Sequence, residues 1–246
     1  MLKRDIWLAA AVLALAAPGF GAPADTIESA KGPVVITPIQ HASFMLEAGG
    51  KRIYVDPSPA DLFTGKPKAD LILITDIHGD HMDPGAVQAL TKSGTVVIAP
   101  AAVAKTITQA KVLDNGQETS WEGWAITALP MYNLKHGPAP GKLLFHTKGR
   151  GNGYVLEYGG KRFYISGDTE NTPEMRALKN IDVAFVCMNL PYTMTAEEAA
   201  DAVKAFHPKI VYPYHYRGQP SQDPQKFAQL LEGSGVDVRV RDWYSK

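Results

Sequence analysis

The chain has 246 residues, in which 25 Lys and Arg balance 25 Asp and Glu, with seven His, 22 Gly, 18 Pro and a single Cys. An apolar fraction of 45% beside 20% charged residues is a globular composition, which excludes a disordered or collagen-like chain and allows one large domain or two small ones. Zero net charge provides no basic face for displacing counterions from nucleic acid, and the lone Cys187 supports neither an intrachain disulfide nor a thiolate zinc cluster, so any metal must be held by His and carboxylates.

In chain order, Lys3 and Arg4 precede an apolar run over residues 6–17, followed by Pro18, Gly19 and small residues, the three-part pattern of a secretory signal peptide. The run has 12 residues, short of the ~20 that a membrane span needs. The pattern predicts a signal at residues 1–24, cut after Gly21 or Ala24, and one mature domain over residues 25–246 with a net charge of about −1, periplasmic or secreted and not inserted in a membrane.

Residues 44–55 (FMLEAGGKRIYV) return at an offset of 110 as residues 154–165 (YVLEYGGKRFYI), with seven of 12 positions identical. Each copy is an alternating strand, a Gly-Gly turn and a second strand, which predicts two β-hairpins and a duplicated architecture. Short apolar runs at residues 71–74, 96–99, 125–129, 183–186 and 210–212 predict buried strands. Helices are predicted between them. One spans residues 84–90 behind Asp83 as N-cap, and one runs to Phe206 from Thr195, whose capping box is completed by Glu198. A third opens at Asp223 and Pro224 and runs to Leu231. Strands interleaved with helices in two similar halves imply an α/β fold of two packed sheets with helices outside.

The densest chemistry follows the run at residues 71–74: Thr75-Asp76-Ile77-His78-Gly79-Asp80-His81. Carboxylates and imidazoles leaving a buried strand together need a counter-ion or partners, and a divalent cation with oxygen and nitrogen ligands meets that need. Gly79 is expected to supply the bend that turns Asp80 and His81 away from Asp76 and His78.

This string resembles the metallo-β-lactamase superfamily motif T-H-x-H-x-D-H, with Asp76 in the place of the first His. Gly167-Asp168-Thr169 is similar to the segment that supplies that family's bridging Asp, and Tyr212-Pro213-Tyr214-His215-Tyr216 to the one that supplies its last His. Gln40-His41-Ala42-Ser43-Phe44, Asp56-Pro57 and Tyr192-Thr193-Met194 look like the branch with the ascorbate-6-phosphate lactonases. The resemblance implies a four-layer αββα sandwich and two metal positions, one from Asp76, His78 and His146, the other from Asp80, His81 and His215, with Asp168 bridging. His146 competes for its role with His136. It is assigned because it stands just before the second hairpin, as the corresponding His does in related sequences.

The resemblance further implies one or two divalent transition-metal ions. Zinc is expected first, with manganese or iron favoured by the harder Asp76 oxygen. His41 and Asp80 are expected to act in catalysis, Arg150 and Tyr192 to contact substrate, and Asp56 to accept a hydrogen bond from a ligand imidazole. His207 reads as a helix C-cap and Cys187 as core. The function expected is that of an exported hydrolase in which hydroxide generated on the metal attacks an ester, lactone or phosphodiester-type bond of a small molecule, without nucleic acid as partner. The alternatives are a periplasmic β-lactamase and a non-catalytic metal- or ligand-binding module with a degraded site.

Overall fold

A computed structural model describes residues 24–216 and 224–244, so the expected signal lies outside the described residues except for Ala24. The first half comprises β1 (Asp25–Ile27), β2 (Val34–Gln40), β3 (Ser43–Ala48), β4 (Lys51–Val55), β5 (Leu71–Leu73), α1 (Pro84–Leu90), β6 (Val96–Ala99), α2 (Ala101–Ala104) and β7 (Lys111–Val112). The second comprises β8 (Glu118–Trp121), β9 (Trp124–Met131), β10 (Gly151–Tyr158), β11 (Lys161–Ile165), α3 (Pro173–Arg176), β12 (Val183–Cys187), α4 (Ala196–Phe206), β13 (Ile210–Tyr214), α5 (Pro224–Leu230) and β14 (Asp237–Val238). Among the described residues each half forms a seven-stranded sheet whose strands lie side by side in chain order. Four strands pair antiparallel, and three more then extend each sheet in parallel.

The duplication read from the hairpins extends to their hydrogen bonds. Phe44 pairs with Val55 in one hairpin as Tyr154 pairs with Ile165 in the other. Asp70, just before β5, accepts the Arg52 N–H at 2.9 Å and holds Lys92 at 2.7 Å. Asp182, just before β12, accepts the Arg162 N–H at 2.9 Å and holds Lys209 at 2.8 Å. The same device thus ties the end of each hairpin to the first parallel strand.

Side-chain alternation along the strands creates the layers. On β5, Leu71 and Leu73 join Phe44 and Val55 in the core between the sheets, while Ile72 points to the opposite face, with Ala86, Val87 and Leu90 of α1. Phe44 stacks on Phe185 of β12 at 4.2 Å, which joins the two sheets. On the far side of the second sheet Tyr164 meets Phe206 of α4 edge-on at 5.8 Å. Helix, sheet, sheet and helix make the αββα sandwich.

Helix starts follow local chemistry. Asp83 accepts the Gly85 and Ala86 N–H groups, and Thr195 and Glu198 close the reciprocal capping box. His207 ends α4 in the left-handed region, and Cys187 is fully buried, its thiol pushed up to about 12 by burial. One local expectation fails. Gly79 has no left-handed φ, and a Cβ there would meet nothing within 4 Å. The bend comes instead from a turn in which the His81 N–H donates to the His78 carbonyl at 3.0 Å. No described helix is long and apolar enough to cross a membrane.

Asp70 yields a stability prediction. Burial works to raise its carboxyl, but Lys92 and the Arg52 N–H outweigh burial and hold it below its ordinary value. The folded state therefore binds this proton less readily than the unfolded chain, so the contribution is present above pH ~4 and lost as pH falls. Asp70→Asn is expected to cost about 1–3 kcal/mol near neutral pH, and urea unfolding repeated at about pH 3 should show the gap from the unsubstituted protein narrowing.

Candidate metal centre

The C-terminal ends of the parallel strands deliver the candidate residues to one edge of the sandwich, where α/β sheets characteristically bind ligands. Asp76, His78, Asp80 and His81 follow β5, Asp168 follows β11 and His215 follows β13. His146 enters from the loop before β10, and His41 from the turn between β2 and β3.

Three imidazoles have their outer nitrogens held. His81 Nδ1 lies 2.8 Å from Asp56 Oδ2, and the Asp56 carboxylate also accepts the Thr75 N–H and hydroxyl, each at 2.7 Å. His146 Nδ1 lies 2.8 Å from Asn133 Oδ1. The Asn133 amide donates in turn to Glu170 at 3.0 Å and to the Tyr192 carbonyl at 2.8 Å. Carboxylate and amide oxygens only accept, so both imidazoles donate from Nδ1, which leaves Nε2 as the atom available to a cation. His215 Nδ1 lies 3.3 Å from the Asn189 amide nitrogen, while Asn189 Oδ1 is buried without a partner. A half-turn of that amide gives His215 the same kind of acceptor.

The three Nε2 atoms converge on Asp168. Its Oδ2 lies 3.2 Å from His81 and 3.2 Å from His146, and its Oδ1 lies 3.4 Å from His215. Two ligands at metal-bond length on one tetrahedral cation stand about 3.3 Å apart. The Nε2 atoms of His81, His146 and His215 and Oδ1 of Asp168 are buried and make no hydrogen bond. Orphaned buried polar atoms of this kind are costly, and divalent cations held by the two groups of ligands would satisfy them. Burial alone would raise the Asp168 carboxyl, yet His215, His81 and His146 hold it well below the usual carboxylate range. Burial disfavours a charged His81, but Asp168 and Asp56 outweigh it and raise its pKa well above the ordinary value, and a bound cation would take the place of that extra proton.

Ligand atoms of Asp76, His78 and His146 form one compact group, and those of His81, Asp168 and His215 another, each within 4.8 Å. Asp80 stands at the rim, with Oδ2 3.3 Å from His215 Nε2 and Oδ1 3.9 Å from His81 Nε2. His41 Nε2 is 3.2 Å from Asp80 Oδ2, and its Nδ1 is 2.6 Å from the Tyr244 hydroxyl. Burial and the neighbouring His215 pull the His41 pKa down to about 4, so its ring is neutral at neutral pH. His41, Asp56 and His215 all have positive φ, near 50°, a region unfavourable for residues with a side chain.

Two cavities flank Asp80. One of about 330 Å³ is walled by His78, His146, Asp168, His215, Phe145 and Tyr192, and the other, of about 500 Å³, by Gln40, His41, Ser58, Pro59 and Tyr244. The sequence motif of the β-lactamase superfamily domain matches residues 35–215, a span that contains every one of these candidate ligands. The chain belongs to the metallo-β-lactamase superfamily. Within it the chain stands among the metal-dependent hydrolases.

It is 33% identical over 221 residues to a UPF0173 metal-dependent hydrolase of Thermococcus kodakarensis, covering 81% of this chain and 92% of that one. A relative of the same description from Thermus thermophilus is 33% identical over 210 residues, covering 80% of this chain and 91% of the other. Among solved structures, a metal-dependent hydrolase assigned in Parabacteroides distasonis superimposes with a TM-score of 0.84 at 43% identity, covering 91% of this chain and all of that one. Igni18, a metallo hydrolase of Ignicoccus hospitalis, gives a TM-score of 0.70 at 26% identity, with 84% and 94% covered.

The seven sequence-derived metal candidates of this superfamily member, Asp76, His78, Asp80, His81, His146, Asp168 and His215, come together. His136 does not join them: its Nδ1 is engaged by the Thr193 carbonyl and lies 3.3 Å from Glu170. Tyr192 lines the smaller cavity, 44% exposed and edge-on to Phe145 at 4.9 Å. Arg150 has a protein partner. It donates from Nε and Nη2 to the two oxygens of Asp76, each at 3.3 Å. Sequence reasoning passes over Asn133, Asn189 and Tyr244. Asn133 follows β9 and Asn189 follows β12, and a polar residue just past a buried strand is the one signal that marks both.

Asp56→Asn should leave the fold intact while weakening metal binding about 10–100-fold, because an amide competes poorly with a carboxylate for the His81 Nδ1 proton. Calorimetric titration of the metal-free protein with zinc checks this.

Proposed function

We propose that the protein is an exported hydrolase that uses one or two divalent transition-metal ions, zinc first among them, to cleave an ester, lactone or phosphodiester-type bond in a small molecule. The observation that carries this reading is the convergence of three unpartnered Nε2 atoms on the buried Asp168 carboxylate. Asp76, His78 and His146 would hold one ion and His81, His215 and Asp80 the other, with Asp168 between them. When bound, such a cation supplies Lewis acidity and makes water acidic enough to act as a nucleophile near neutral pH. The relatives' designation as metal-dependent hydrolases agrees with that chemistry.

The chain's own residues orient and enclose. Neutral His41 donates from Nε2 to Asp80, which leaves its Nδ1 to accept from the Tyr244 hydroxyl and fixes the ring tautomer. Asp80 is thereby turned toward His215 and His81. Because Asp80 lines both cavities, a bond placed at the cluster has one half in each. Phe145 and Tyr192 offer an aromatic wall on one side, and Gln40 and Ser58 offer polar groups on the other. Cavities of about 330 and 500 Å³ suit a small molecule rather than a polymer strand. Export rests on the basic, apolar and small-residue succession of residues 1–24.

Metal analysis of protein purified from the periplasm, joined to a chromogenic panel of lactones, phosphodiesters and β-lactams, tests the reading. The expected result is bound transition metal and turnover of a lactone, ester or phosphodiester, with metal and turnover both lost in Asp168→Ala and His81→Ala. Full metal occupancy in both variants would overturn it, and turnover confined to β-lactams would replace the substrate class.

A further inference from the structure

The two halves of the metal cluster are not equally prepared for a cation. His81 Nε2, His215 Nε2 and Asp168 Oδ1 are all buried and unpartnered. In the other group only His146 Nε2 shares that state. The Asp76 carboxylate is engaged on both oxygens: Arg150 Nε donates to Oδ1 at 3.3 Å, Arg150 Nη2 to Oδ2 at 3.3 Å, and His78 Nδ1 lies 2.7 Å from Oδ2. Asp76 is completely buried, whereas the Arg150 side chain is 22% exposed.

A guanidinium remains charged at any accessible pH, and its planar fork matches a carboxylate. A cation arriving at Asp76 must share that carboxylate with a like charge or displace it. An imidazole at the same place would bring no such competitor. The carboxylate and its Arg together are also neutral, so the Asp76 charge gives the cation no net electrostatic advantage while Arg150 remains paired to it.

From this asymmetry we infer that the two metal positions differ in affinity: His81, Asp168, His215 and Asp80 hold a cation tightly, while Asp76, His78 and His146 form a weaker, exchangeable position at which Arg150 competes with the cation for Asp76. The inference rests on the metal-dependent reading above and adds an order of filling to it. Arg150 is then a positioning residue that sets how much metal the first position retains, rather than a clamp for substrate.

The test is titration of metal-free protein with Co²⁺, followed by calorimetry and by the visible absorption of the bound ion, for the unsubstituted protein and for Arg150→Met. The unsubstituted protein should show one tight step and one weak step. Arg150→Met should strengthen the weak step by about 10–100-fold and leave the tight step in place. Arg150→Gln, which also removes the charge but keeps a polar side chain, is expected to act in the same direction and serves if the Met variant does not fold. Two equally tight steps in the unsubstituted protein, or a weak step unmoved in both variants, overturns the inference and leaves the hydrolase reading standing. Absence of any binding defeats both.

Discussion

A histidine has two nitrogens, and whichever one carries the proton decides what the other can do. At this site the outer nitrogen of His81 is committed to Asp56 and that of His146 to Asn133. With those protons fixed, both inner nitrogens face the Asp168 carboxylate and stand ready as ligands. Were either outer acceptor missing, the ring would be free to turn, and its inner nitrogen would no longer be held in place as a ligand. The rest of the chain can be understood as scaffolding for that tautomeric choice.

The scaffolding is supplied by packing rather than by the site residues themselves. Asp56 follows β4 and Thr75 lies just beyond β5, two strands that run parallel and in register from Ile53 with Leu71 to Val55 with Leu73. Their inward side chains are clamped between the sheets by Phe44 and Phe185. The Asp56 backbone N–H donates to the Leu73 carbonyl at 2.9 Å, so the carboxylate starts from a fixed point beside the Thr75 hydroxyl that it accepts. In the second half Ser166 occupies the corresponding place, its N–H donating to the Phe185 carbonyl at 3.0 Å, and Asp168 stands two residues further on. One strand frame, used twice, carries an orienting carboxylate in the first half and a metal-facing carboxylate in the second.

What could be read from sequence was whatever the chain writes locally. The twin hairpins, the Asp83 and Thr195 caps and the string from Thr75 to His81 lie within a few residues of their own signals. Strands β7 and β14 are two residues long, too short to show any periodicity, and they complete the sheet edges only because β6 and β13 lie beside them. Of the outer-nitrogen partners of the histidines, Asp56 was legible through the resemblance, whereas Asn133, Asn189 and Tyr244 were not, for another reason. Asn189 lies 26 positions from His215, and Tyr244 lies 203 positions from His41, separations that only the closed fold removes. Arg150 was visible but its pairing was not, since its partner Asp76 is 74 positions away and a cation in a glycine-rich loop suggests an incoming anion before it suggests a buried carboxylate in the other half.

The ligands are divided between the halves. Residues 76–81 belong to the first sheet's unit, and His146, Asp168 and His215 to the second's. Neither unit alone can close a cage around a cation. Ion binding is therefore a cross-half bolt: its free energy accrues only to the state in which both sheets are folded and facing each other, and an opening that separates them forfeits all of it. Metal content and the cooperativity of unfolding are thereby linked, because the ion adds a second tie between the halves to the core that the two sheets already share.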